Sequence, residues 1–117
     1  MSDQEGPVRA VHLPTLVDRL VEEALVAGHG LRVEAVVDQP LQHAVVFALR
    51  AGSELPEHDQ PPAACLQVLR GEVVLIAGEE RHPLAEGDLR VIPARRHKVH
   101  AVTDAACLLV VTVDPVA

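Results

Sequence analysis

Seven histidines stand in this chain of 117 residues: His12, His29, His43, His58, His82, His97 and His100. Imidazole is the commonest protein ligand for metals and the side chain that changes charge near neutral pH, so these residues frame the candidate chemistry. Two cysteines, Cys65 and Cys107, lie far apart and in no CxxC pattern, which argues against a structural zinc knot. No histidine pairs with either in a nucleophile motif, so both read as small apolar core residues with reduced thiols. His97 sits in the basic run Arg95-Arg96-His97-Lys98. Such a patch is either a solvated turn or a rim that steers an anionic ligand. His12, His29 and His82 read as surface residues near turns or termini, and Asp88 after Gly87 reads as turn chemistry.

Composition bounds what these residues can serve. Lys and Arg number 10 against 17 Asp and Glu, a formal charge of −7, which excludes nucleic acid or an anionic membrane as the main partner. Hydrophobic residues make up 49% of the chain, so it is no disordered tail. There is no Trp, no Tyr and a single Phe, Phe47, which excludes base-stacking platforms and aromatic cages. The polar start MSDQEGPVRA and the absence of any apolar run near 18 residues give the expectation of a soluble, cytoplasmic protein.

The elements that must position the chemistry follow from periodicity. Residues 1–12 read as a loose leader and 13–117 as one domain. Leu13, Leu16, Val17, Leu20, Ala24 and Leu25 recur at helical spacing, predicting one amphipathic helix over about 14–28, with Thr15 as N-cap and Gly28 or Gly30 as the stop. From Leu31 to Val113 the chain breaks into short Val- and Leu-rich runs: 31–37, 43–50, 65–70, 72–77, 89–92, 99–102 and 107–113. Gly, Pro and charged clusters separate them. Many short strands at close spacing with no second helix predict an all-β fold, an antiparallel jelly-roll barrel or sandwich. Ala77-Gly78-Glu79 reads as a hairpin turn and Gly71 as a bend. The helix is expected to cover an open sheet face or a dimer interface. The irregular stretch Gly52–Ala64 is the expected functional loop.

Two segments carry a recognisable cadence. One is Gly52-x5-His58-x-Gln60-x3-Ala64-x6-Gly71. The other is Gly87-x5-Pro93 followed by His97. They resemble the two motifs of the cupin family, G-x5-H-x-H-x3/4-E-x6-G and G-x5-P-x-G-x2-H-x3-N. The resemblance implies a jelly-roll barrel with a metal site built from two His and one Glu of the first motif and one His of the second. Here Gln60 replaces the second His, Ala64 the Glu and Arg95 the glycine of the second motif. His97 arrives one residue early, and the closing Asn is absent. The resemblance therefore implies a degenerate site of His58, Gln60 and His97. His43 is a further donor if it shares the inward face of Val45, Phe47 and Leu49. Two imidazoles and an amide make a weak site for zinc, iron or manganese, since iron favours two His plus a carboxylate. The expected cofactor is accordingly none or such a divalent ion.

Three functions remain open at this point. The first is a barrel that binds a small molecule or anion without catalysis, through a pocket of Phe47, Ala64, Leu66, Val68 and Val99 with an anion rim at Arg95 and Arg96. The second is a metal-dependent dioxygenase or isomerase on the altered ligand set. The third is a structural dimerisation module. A homodimer is expected in each, because a small sandwich leaves sheet edges exposed.

Overall fold

A computed structural model of the chain describes residues 10–58, 63–93 and 95–113. The helix α1 spans Leu13–Val26, and nine strands follow: β1 Leu31–Gln39, β2 Gln42–Leu49, β3 Glu54–His58, β4 Ala63–Arg70, β5 Glu72–Ala77, β6 Glu80–Ala85, β7 Leu89–Val91, β8 His97–Ala101 and β9 Ala105–Thr112. They form two antiparallel sheets, one in the order β1-β2-β9-β4-β7 and the other β3-β8-β5-β6. This is the expected jelly-roll sandwich with one N-terminal helix.

Alternation sets which residues face the space between the sheets. Phe47 and Leu49 of β2, Leu66 and Val68 of β4 and Cys107 of β9 meet Val73 and Leu75 of β5 and Val99 of β8 in one buried cluster. The other face of the larger sheet is covered in part by α1, whose Leu16, Val17, Leu20 and Ala24 pack on Val46, Ala48 and Ala106. Strand β2 is thus buried on both faces, which explains its unbroken apolar run from Ala44 to Leu49. The helix begins earlier than Thr15. Its N-cap is His12, with Pro14 in the first turn, and His12 Nδ1 lies 2.8 Å from Thr15 Oγ1. Proline suits that position because its missing N–H would have no partner there in any case.

Two strands, β3 and β6, lie where the sequence pattern showed only breakers. Their sequences, ELPEH and ERHPLA, each contain a proline and several charges, which mask the apolar alternation. Both are edge strands, the place where a proline costs no ladder hydrogen bond. Gly78 and Glu79 close the β5–β6 hairpin with Ala77 opposite Glu80, and Gly78 has φ +63°. A glycine of positive φ in the first of two loop positions fits a type II′ turn. Gly71, φ +81°, is the single residue between β4 and β5 and carries the chain from one sheet to the other. No helix among the described residues is long and apolar enough to cross a membrane.

Candidate functional site

The positions that the two motifs mark converge on one strand pair. Strand β3 pairs with β8, with Glu54 opposite His100, Leu55 opposite Val99 and His58 opposite His97. Three residues on β3 thus span two on β8, a bulge at Pro56-Glu57 that sets His58 in register with His97. Without the extra residue, period two would place position 57 opposite His97. His97 is 1% exposed, and its Nδ1 donates to the carbonyl of Arg95 at 3.0 Å. A carbonyl oxygen only accepts, so Nδ1 carries the proton in this contact. Val99 shares the buried face with His97, whereas Lys98 and His100 alternate to the other side, each within reach of Glu54, at 3.6 and 3.1 Å. His97, not Lys98, is therefore the inward residue.

Several expected site residues lie elsewhere. His43 ends the inward row of β2, yet its side chain is exposed and pairs with Asp38 of β1 at 3.2 Å. It pairs across β2–β9 with Val111, and Val111 in turn stands opposite Ala64 of β4. Two strand spacings thus separate His43 from the motif positions on β4, and it joins no cluster with His97. Phe47, Leu66, Val68 and Val99 are all fully buried in one apolar cluster between the sheets. Small barrels of this size can be filled by side chains, as this cluster does at its level. Ala64 packs against the core cluster and also borders a groove of about 510 Å³ along β4, β7 and β9, with Ala63, Cys65, Val91 and Val110. Gln60 lies outside the described residues. Arg95 and Arg96 are exposed as a rim would require, but the Arg95 guanidinium is held by Glu80 at 2.5 Å. A basic run in an acidic chain finds its counterion locally.

The cupin-domain family model matches residues 45–113. The chain belongs to the cupin family. Solved structures agree in fold. A conserved SPY1581 protein of unknown function from Streptococcus pyogenes is 25% identical, with 92% of this chain and 90% of that one aligned at a TM-score of 0.70. An RmlC-like cupin protein from Desulfovibrio desulfuricans is 26% identical over 92% of each chain, at a TM-score of 0.65. A salicylate 1,2-dioxygenase from Pseudaminobacter salicylatoxidans is 21% identical at a TM-score of 0.71. That match covers 87% of this chain and only 34% of the dioxygenase, and shows the fold alone. Comparison with curated proteins gives no match.

Cupins often hold a metal, so the donor set here decides what this cupin can bind. The buried His97 has the orientation of a metal-ligating imidazole, with Nδ1 tied to a carbonyl. Its partners do not complete a centre. The acid position is Ala64, which has no donor atom. No three His, Cys, Asp or Glu side chains among the described residues come together to hold an ion. Zinc and non-haem iron centres need three good protein ligands. The described residues do not fit the metal that the family often carries.

The thiols are equally inert to one another. Cys107 faces the core opposite Val68, while Cys65 lies on the outer face opposite Val91 and Val110, and both are free. Burial pushes the Cys107 thiol up to about 12, which keeps it protonated. Sequence reasoning missed a second polar group. His82 is no turn residue but lies on β6, where Glu80, Arg90 and Arg95 gather around it. The signal was Arg90, a charge at the middle of the apolar run Leu89–Ile92.

Proposed function

We propose that this chain is a ligand-binding cupin that works without a resident metal and without catalysis. A small molecule or anion is held at the barrel mouth between His58 and His97. The observation that carries this reading is the buried His97, with one nitrogen fixed on Arg95 and His58 opposite it, beside an alanine where a carboxylate ligand would stand. Two imidazoles beside an alanine at the acid position are too few ligands for a divalent ion. The test is a small-molecule screen read by the imidazole nitrogen signals of the protein. At least one neutral or anionic compound is expected to shift both His58 and His97, and His97→Gln to abolish the response. Zinc or iron bound one to one through dialysis would overturn the reading.

A second reading, a homodimer, is favoured by the outer face of the larger sheet. Leu89 and Val91 of the edge strand β7 are 67% and 75% exposed. They adjoin the uncharged groove of Cys65, Val110 and Thr112. In a protein of charge −7, two copies meet at least cost where no carboxylates face each other. Light scattering after sizing tests it: a dimer is expected for the native chain and a monomer for Val91→Glu. A native monomer contradicts it.

A further inference from the structure

We propose that Arg90, with His82 and Arg95, forms a binding site for a small oxyanion, a carboxylate or phosphate group, in the seam between β6 and β7. Strand β7 is the outer edge of the larger sheet and β6 the outer edge of the smaller, and the turn at Gly87 joins them. Arg90 pairs across β4–β7 with Leu66, and His82 pairs across β5–β6 with Leu75. Both leucines are fully buried between the sheets, and paired residues share a face, so Arg90 and His82 turn inward from opposite sheets. An arginine and a histidine therefore face each other at the side of an otherwise aliphatic core.

Their hydrogen bonding is incomplete. Arg90 Nη2 lies 3.4 Å from His82 Nε2, and the same Nε2 lies 3.2 Å from Glu80 Oε1. One ring nitrogen cannot serve both. With a proton it donates to Glu80 and leaves Arg90 facing a donor; without one it accepts from Arg90 and leaves Glu80 facing a lone pair. Arg90 Nε is buried and has no partner among the described residues. Buried polar groups in native proteins nearly always have one, so an orphan guanidinium N–H calls for a missing acceptor. Other arginines of the structure are better served. Arg19, Arg32, Arg70 and Arg95 each hold a carboxylate, and Arg50 holds the carbonyls of Leu25 and Ala27.

The charge balance has the sign that an anion needs. Two guanidiniums face one carboxylate, Glu80, which Arg95 and His82 hold below the ordinary carboxylate range. The turn's own acid, Asp88, is engaged by the Ala85 N–H at 2.8 Å. An oxyanion accepting from Arg90 Nε and an adjacent Nη would satisfy the orphan N–H in the fork geometry of arginine. His82 would then be released to donate to Glu80. The site uses neither His58 nor His97 and stands independently of the function proposed for them.

The test is calorimetric titration of the full chain with inorganic phosphate and, separately, acetate, at constant ionic strength set by chloride. Saturable one-to-one binding of either anion is expected; phosphate alone marks a phosphoryl ligand, acetate alone a carboxylate. Arg90→Met should weaken it at least roughly tenfold, since bonds to a charged partner are among the strongest a side chain makes. Arg90→Lys should retain part of it. With no anion present, Arg90→Met should melt above the native protein, because it removes a partly buried cation whose Nε lacks a partner among the described residues. Absence of saturable binding by both anions, or equal binding in Arg90→Met, would overturn the proposal.

Discussion

Gly71 closes the first motif and turns the chain from the larger sheet into the smaller, so its replacement by alanine probes the barrel's construction. At φ +81° any Cβ meets the left-handed penalty, about 1–2 kcal/mol. A Cβ there would also collide with the backbone carbonyl of Asp104 and stand 2.7 Å from Thr103 Oγ1. The carbonyl belongs to the loop between β8 and β9 and cannot rotate away like a side-chain tip. Relieving such overpacking costs about 1–3 kcal/mol. Gly78, φ +63°, supplies the control, because its Cβ would meet nothing within 4 Å. Loss of glycine's freedom in the unfolded chain is the same in both variants and cancels in the comparison. Gly78→Ala should therefore cost about 1 kcal/mol and Gly71→Ala about 2–4 kcal/mol. At an unfolding entropy of about 2.1 cal/mol/K per residue, Gly71→Ala should lower Tm by about 8–16 °C. Urea titration of both variants, with slopes compared, is the assay. Equal midpoints for the two alanine variants would refute the packing argument at Gly71.

Other consequences concern titratable groups. A thiol reagent at mildly alkaline pH should label Cys65, on the outer groove, and leave Cys107 untouched until the protein unfolds. Because the folded pKa of Cys107 is raised from 9.0 to about 12, its contribution to stability is complete below pH 9 and is lost as pH rises toward 12. The slope is at most about 1.4 kcal/mol per pH unit, and Cys107→Ala should flatten that part of the pH–stability curve. Glu80 has the opposite sign: its depressed pKa lends stability above its ordinary 4.5 that is lost as pH falls through the folded value. Arg95→Gln should raise the Glu80 titration midpoint seen by carboxyl NMR, and an unchanged midpoint would show that the ion pair does not form in solution.

Much of the architecture was legible because burial repeats regularly in these strands. The helix and the core strands follow from period 3.6 and period 2 in Val- and Leu-rich runs, and Gly71 and Gly78 announce their turns. Strands β3 and β6 were hidden because edge strands may carry proline and charge, as Pro56 and Pro83 show. The motif spacing led to His58 and His97, and the bulge that brings them opposite each other has no sequence signature of its own. Spacing also pointed to an inward His43, whose place at the strand end leaves it to solvent and Asp38. A pocket along Phe47, Leu66, Val68 and Val99 followed from treating inward positions as lumen. Whether inward side chains enclose space or fill it depends on the distance between sheets, which one sequence does not encode.

The proposal that this cupin works without a resident metal meets its most direct test in elemental analysis. Native protein and Ala64→Glu, which restores a carboxylate at the motif position, would be loaded with zinc, iron or manganese, dialysed and assayed for metal per chain. The native chain should retain far less than one equivalent of each, and Ala64→Glu should retain more. One equivalent held by the native chain and lost on His97→Ala would contradict the account.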